Sequence, residues 1–402
     1  MKEVDCYVPW FGFAVTTKMT GQMCCTNNNS ICEINDTTNL KQIWEQNFTK
    51  MREGFLNKGI PIICRPCYKM ESFGLRSRRI RFMEDMNKTI LPIDFSNPTI
   101  NYLDIIFSNV CNLDCVMCSS EYSSSWIEDD KKLVTKLPFR KNIEPFLKIS
   151  KLSKKFIDQI IIKDLIEVEV KGGEPLIESR FTYFLNRCLK DKGNARIHIT
   201  TNLNVLTSEM KELLQQLPKV SFDVSIDAIG PLYNYIRGNN SSLDRVVENL
   251  KFITKLKNLV GGGVRINVTT MPYNLWESYK IIEWANNISK SIKINWCPMT
   301  VEPIYLNPII VPHHMRKKAA IKFEKYVKEN NIHSDYIFDL EYTLNYLKHE
   351  NPLNLTKKYL EYLQESFVKW TKEIHKQRNL NIYELVPEIK EIEHIILNNK
   401  NN

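Results

Sequence analysis

Between about residues 100 and 300, short apolar runs alternate with longer segments of helical spacing. The candidate strands are residues 101–107, 166–171, 195–202, 221–227, 264–270 and 292–296. Between the later ones, residues 181–189, 209–217, 243–256 and 275–288 repeat apolar positions at the spacing of one helix face. Strand-then-helix alternation predicts βαβ units and a parallel sheet.

The strands themselves alternate. Ile166, Val168 and Val170 share one parity, as do Ile197 and Ile199, Phe222, Val224 and Ile226, and Val264, Ile266 and Val268. The other parity is polar: Glu167, Glu169 and Lys171; Arg196, His198, Thr200 and Asn202; Asp223, Ser225 and Asp227; Arg265, Asn267 and Thr269; Lys293 and Asn295. Period-two alternation sends these sets to opposite faces. An antiparallel sheet with one wet face gives the same alternation, but helical connections between strands argue against it. The expected architecture is an α/β fold, a partial (β/α)6 TIM-like barrel with outer helices and a polar lumen suited to a polar ligand.

The flanks depart from this rhythm. Residues 7–15 read as a strand, 16–21 as a turn, 39–55 as a helix, and 92–98 as a linker. Beyond about residue 303 the pattern is helical, over 315–329, 340–348 and 355–377. The expected domains are 1–95, 96–302 and a helical C-terminal extension, 303–402. The extension carries no motif of its own, and His313–His314 lacks the i, i+4 spacing of a helical chelating pair. Asn28, Asn29 and the Asn-rich 398–402 tail read as loose.

Composition narrows the class. With 402 residues, 43% hydrophobic and 25% charged, the chain is globular, and no apolar run is long enough for a membrane span. Charges at Lys2, Glu3 and Asp5 predict no secretory leader and a cytoplasmic setting. The net charge of +9 is spread over the chain, so it mildly favours an anionic partner. No recognition motif or interleaved aromatic–basic patch accompanies it, which argues against nucleic acid.

Eleven cysteines change the picture more. Six fall in the first 67 residues and three lie between 111 and 118. In a reducing compartment such clusters point to metal before disulfides. Cys111, Cys115 and Cys118 follow the first barrel strand at C-x3-C-x2-C spacing, so three thiolates would grip three irons of a cubane and leave the fourth open. Zinc held by these three and a distant His is the alternative. Gly172 and Gly173, ending the second strand, permit close backbone approach to a ligand, and Glu174 can accept from an ammonium. Asn202, Ser225 and Asp227 end later strands, with Arg237 just beyond, at the barrel end where ligands bind. Cys188 reads as core filler and Cys32 as a spare thiol. Cys297, at the end of the last strand, is a candidate hydrogen-atom donor if it is not simply packed.

The three-cysteine loop, the Gly172-Gly173-Glu174-Pro175 turn and the six-strand rhythm together resemble the radical S-adenosylmethionine (radical SAM) enzymes over residues 98–300. The resemblance implies a [4Fe–4S] cluster whose open iron binds S-adenosylmethionine, and its reductive cleavage to a 5′-deoxyadenosyl radical that abstracts hydrogen from substrate. It assigns Gly172, Gly173, Glu174, Asn202, Ser225, Asp227 and Arg237 to the cofactor, with Arg237 on the methionine carboxylate. Where many members place an aromatic before the third cysteine, this chain has Met117, whose thioether can pack on adenine.

Ahead of the barrel, Cys6, Gly21-Gln22-Met23-Cys24-Cys25 and Cys64-Arg65-Pro66-Cys67 resemble the ligands of a twitch domain, the shortened SPASM module that holds an auxiliary [4Fe–4S] cluster. Trp10, Trp44, Arg52, Pro61, Glu71, Gly74 and Arg78 suit the N-terminal twitch subgroup. The resemblance implies Cys6, Cys24, Cys64 and Cys67 as ligands, with Cys25 the alternative to Cys24 and a zinc knuckle the alternative to a cluster. The expected partners are S-adenosylmethionine, a reductant such as flavodoxin or ferredoxin, and a peptide side chain or small anionic metabolite such as a nucleotide sugar. The rival expectation is a non-catalytic iron–sulfur or zinc-binding scaffold.

Overall fold

The structure is a computed structural model that describes residues 6–25, 30–56, 64–72, 77–88, 94–298, 302–332 and 337–398. Expectations for Lys2, Glu3, Asp5, Asn28, Asn29, Pro61, Gly74, the first residues of the 92–98 linker and the tail beyond 398 lie outside the described residues. Contacts divide the chain into two units, residues 1–110, 149–199 and 208–220, and residues 111–148, 200–207 and 221–402.

In the first unit, strands β1 (Gly12–Val15), β2 (Thr20–Gln22), β3 (Cys32–Glu33), β4 (Tyr102–Ile106), β5 (Glu167–Lys171) and β6 (Arg196–Thr201) lie in the order β6-β5-β4-β1-β2-β3. β4 runs parallel to both β5 and β1, and β5 parallel to β6. β1, β2 and β3 pair antiparallel. The apolar face works as the alternation requires: Val168, Val170, Ile197 and Ile199 are buried. Phe107 meets Phe181 and Phe184 of the helix Ser179–Lys190 at centroid distances of 5.6 and 5.5 Å.

In the second unit, β7 (Lys219–Ser225), β8 (Leu259–Thr270), β9 (Lys293–Pro298) and β10 (Ile337–Phe338) follow in that order. β8–β9 and β9–β10 are parallel. The core here gathers around Arg140, which is ion-paired to Asp130 and donates to the Tyr305 hydroxyl at 3.0 Å. Its guanidinium lies 4.4 Å from the Trp370 ring centroid and 5.2 Å from that of Trp126. The charge is therefore paired, hydrogen-bonded and close to two indole rings, which offsets its desolvation. Both units are α/β with parallel strands, consistent with a partial TIM-like barrel.

The structure differs from the sequence expectations in several places. Residues 7–15 are not one strand: Val8–Trp10 form a 3-10 turn, as Pro9 fixes φ and lacks an N–H, and the strand is Gly12–Val15 alone. The expected turn closes at Met19, since Thr20 enters β2. The N-terminal region also continues the sheet through β1 rather than leaving it. The helix over 39–55 contains a wide turn, Ile43–Asn47, where the Phe48 N–H reaches the Ile43 carbonyl. The segment 275–288 turns helical only at Lys280, because Asn274 first bonds Met271 N, Asp227 O and Thr269 O. The C-terminal extension is helical apart from β10, which adds to the sheet.

The lumen-facing charges are also less available than expected, because they pair across strands. Lys171 bonds Asp104 at 2.6 Å, Arg196 pairs with Glu167, and Arg78 pairs with Glu169. Arg265 forks onto Asp223 at 2.8 and 2.7 Å. Alternation fixed which face is polar. It could not show that the two signs meet side by side.

Trp370→Ala removes a buried ring that stacks on Trp126, covers Arg140 and donates to a loop carbonyl. It is expected to cost about 3–5 kcal/mol of stability, read by urea unfolding.

Candidate functional site

The loop carrying Cys111, Cys115 and Cys118 belongs to the second unit, and side chains satisfy most of its backbone. The carbonyls of Cys111, Leu113 and Cys115 accept from Ser125 Oγ at 2.8 Å, Ser123 Oγ at 2.6 Å and Trp126 Nε1 at 3.0 Å. Val116 donates to the Ile236 carbonyl at 2.8 Å and accepts from Trp370 Nε1 at 3.2 Å. Arg378, whose side chain is fully buried, holds both the carboxylate and the carbonyl of Asp114 and donates to Tyr235 O at 3.1 Å. Gly238 has φ +103°, and a Cβ there would lie 1.9 Å from Asp114 Oδ1, so the chain after Arg237 passes directly against the loop.

The three thiols sense one another. Burial pushes Cys118 well above the ordinary thiol range, and the Cys115 and Cys111 charges add to this. Burial also raises Cys115, against the pull of Arg237. Arg237 Nη1 stands 3.8 Å from Cys115 Sγ, and Asn202 Nδ2 stands 3.8 Å from Cys111 Sγ. These are N–H donors aimed at sulfur, as a thiolate or cluster sulfide would use them. Arg237 Nη2 pairs with Asp227 at 2.6 Å, while its buried Nε has no hydrogen-bond partner among the described residues. Asp227 is completely enclosed; burial raises its carboxyl, partly offset by Arg237 and the Thr269 N–H at 2.8 Å. Asn202 and Asp227 lie just past the ends of β6 and β7, one and two residues later than the strands, while Ser225 ends β7. Met117 is half-buried.

In the first unit, Gly172 has φ +126°, and a Cβ on Gly173 would lie 2.1 Å from the Val110 carbonyl. Only glycine fits that approach. Glu174 is buried, and its Oε1 caps the following turn by accepting from Leu176 N at 3.0 Å.

The same unit gathers Cys6, Cys24, Cys64 and Cys67 around one cavity, lined also by Val8, Met23, Pro66, Arg78, Arg79 and Phe82. Burial raises Cys6, and the Cys24, Cys64 and Cys67 charges add to it. Burial likewise pushes Cys64 up to about 12. Cys25 faces elsewhere. Burial raises it to about 12, and its neighbours are Lys171 and Asp104 on β5 and β4, the Arg78 guanidinium and Cys24. Trp44 and Arg52 brace the unit: Trp44 Nε1 donates to Pro98 O at 2.8 Å, and Arg52 Nε to Pro9 O at 2.8 Å. Trp10 packs edge-on against Phe95 at 5.2 Å, and Glu71 pairs with Arg79. Among the described residues, no three His, Cys, Asp or Glu side chains already converge on one metal-ion point. Cubane thiolates bind separate irons and need no such point.

Of the solitary cysteines, Cys188 is buried and Cys297 is exposed, on the same strand parity as Lys293 and Asn295. Gly21 has no room for a Cβ beside Cys32 Sγ. His313 serves structure, meeting the Lys348 carbonyl at 2.8 Å. Sequence reasoning missed Arg140, Trp370 and Arg378. Two of them lie more than 250 residues from the loop they brace, in a segment with no motif.

Residues 105–285 match the family model of the Radical SAM superfamily. The GTP 3',8-cyclase of Aliarcobacter butzleri (strain RM4018) is 24% identical over 180 residues, 45% of this chain and 49% of that protein. The GTP 3',8-cyclase of Thermodesulfovibrio yellowstonii (strain ATCC 51303 / DSM 11347 / YP87) is 27% identical over 202 residues, 50% of this chain and 57% of that protein. The chain thus spans about half the length of the curated cyclases it matches. Among solved structures, anSMEcpe with bound AdoMet aligns at TM-score 0.41 and 15% identity, over 59% of this chain and 63% of that one. Streptococcus suis SuiB bound to precursor peptide SuiA aligns at TM-score 0.36 and 13% identity, over 83% and 61%. Cys6 to Cys67, Trp370 and Arg378 all lie outside the matched segment. The likeness to the Radical SAM superfamily is thus carried by residues 105–285.

Proposed function

We propose that this chain reductively cleaves S-adenosylmethionine at a [4Fe–4S] cluster held by Cys111, Cys115 and Cys118, and abstracts hydrogen from a substrate. A radical SAM domain implies that cluster with S-adenosylmethionine. The observation that carries the reading is the convergence of three buried or half-buried thiols with Arg237 and Asn202 N–H groups 3.8 Å from two of the sulfurs. When bound, the reduced cluster and S-adenosylmethionine supply a 5′-deoxyadenosyl radical.

The protein's own part is to bind and orient. Three cysteine ligands leave one iron position open for the methionine amine and carboxylate. Asp227 orients Arg237, whose partner-free Nε remains to meet the carboxylate. Glu174 is held by its turn to accept from the ammonium, Gly172 and Gly173 keep that edge free of side chains, and Met117 packs against adenine. Asn202 and Ser225 serve the same cofactor, and Cys297 would give a hydrogen atom to the substrate radical, the thiyl so formed taking one electron from the one-electron donor and one proton to restore the thiol. Enclosure keeps water and side reactions away from a carbon radical.

Cys6, Cys24, Cys64 and Cys67 hold an auxiliary [4Fe–4S] cluster in a twitch domain over residues 1–95, ahead of the barrel domain 96–302 and the extension 303–402. Their support is the shared cavity, from which Cys25 is turned away. A cytoplasmic one-electron donor of flavodoxin or ferredoxin type reduces the enzyme. The substrate is a peptide side chain or a small anionic metabolite such as a nucleotide sugar, and the cyclase relatives support the second class.

Anaerobic reconstitution with iron and sulfide, then dithionite and S-adenosylmethionine, is expected to give 5′-deoxyadenosine by mass spectrometry. No product at full cluster occupancy, with candidate substrates present, would sink the reading and leave a scaffold. Cys115→Ala is expected to abolish the product, whereas Cys64→Ala should leave cleavage uncoupled from substrate turnover. Metal analysis should return about eight irons per chain for two clusters; about four irons with one zinc would reassign the N-terminal site.

A further inference from the structure

We infer that Arg78 tunes the N-terminal cluster and ties its reduction potential to Glu169 on the polar face of β5; this rests on the reading of Cys6, Cys24, Cys64 and Cys67 as cluster ligands. Arg78 opens the helix Arg78–Lys88 and lines the four-cysteine cavity, its guanidinium 4.7 Å from the Phe82 ring centroid. Nη2 is committed to the Tyr102 hydroxyl at 2.7 Å and to the Glu169 carboxylate. Its Nε is buried and has no hydrogen-bond partner among the described residues. Arg79, on the same cavity, has its Nε and Nη2 bound by Glu71. Arg78, a lining residue of the cavity, therefore keeps one buried N–H unsatisfied by the described residues, and a buried donor without an acceptor is costly. A cluster sulfur is the acceptor the cavity would provide.

The electrostatics give the link a sign. Adding an electron to a four-thiolate cluster makes an anion more negative, so a nearby cation or an N–H on sulfur favours the reduced state. Arg78 supplies both. Glu169 works against it: burial opposes its ionisation, but Arg78 prevails and holds the carboxyl at about 2, so it is charged throughout the physiological range. It partly cancels the cation that the cluster senses. Lys171 and Asp104 neighbour the same face, joined to each other at 2.6 Å.

The test is a redox titration of the reconstituted full-length enzyme, followed by electron paramagnetic resonance, in which the two clusters are resolved. Arg78→Gln should shift the N-terminal cluster to lower potential and Glu169→Gln should shift it to higher potential. Arg78→Lys, which keeps charge but loses the Nε–H, should fall between wild type and Arg78→Gln. The cluster at Cys111, Cys115 and Cys118 should not move in any of them. Shifts of the same sign in Arg78→Gln and Glu169→Gln, or none, would mean the pair is merely structural and would overturn the inference. If Arg78→Gln loses its cluster, the opposite displacements of Glu169→Gln and Arg78→Lys decide it. Zinc in the wild-type N-terminal site would overturn the cluster reading and this inference together, whereas two clusters with unmoved potentials would overturn this inference alone.

Discussion

Arg378 on Asp114 is the contact on which the cysteine loop depends. A loop that presents three thiols inward must bury its own backbone, and each buried carbonyl needs a donor. The guanidinium takes the Asp114 carboxylate and carbonyl together and reaches Tyr235 O, so one side chain ties the loop to the segment that ends in Arg237. Trp126 and Trp370 do the same for Cys115 and Val116. The loop is therefore shaped by aromatic and guanidinium donors around it.

Charge is handled the same way on the sheets. Asp223 takes Arg265 and Asn267, Asp104 takes Lys171, and Glu169 takes Arg78. Paired charges cost less to enclose than single ones. What remains for a ligand is the set of unfilled valences, such as the Nε of Arg237 and one oxygen of Asp104. The Arg78–Glu169 pair extends this pattern to the N-terminal cysteines, joining a polar-face carboxylate to a guanidinium that lines their cavity.

Much of this was legible from residue order. Strand parity identified the buried Val168, Val170, Ile197 and Ile199 and the polar row opposite, because period two is a local property of extended chain. The glycines at 172 and 173 read from sequence as a place of close approach to a ligand, and in the fold the room for their Cβ atoms is taken by the chain's own Ile106 and Val110. Less legible were boundaries set by single side chains. Asn274 delays a helix by several residues, and Pro9 replaces the start of a strand with a turn.

By itself the sequence determined the βαβ rhythm, the polar parity and the grouping of cysteines at ligand spacing, since each is carried by neighbours along the chain. Only the tertiary structure gathered Cys24 into the lining of the cavity that Cys6, Cys64 and Cys67 share. Adjacent residues differ in direction, and what they face depends on the walls around them. It also decided that the motif-free C-terminal extension braces the cysteine loop. Trp370 and Arg378 meet partners more than 250 residues away, and no local pattern encodes a contact closed over that distance.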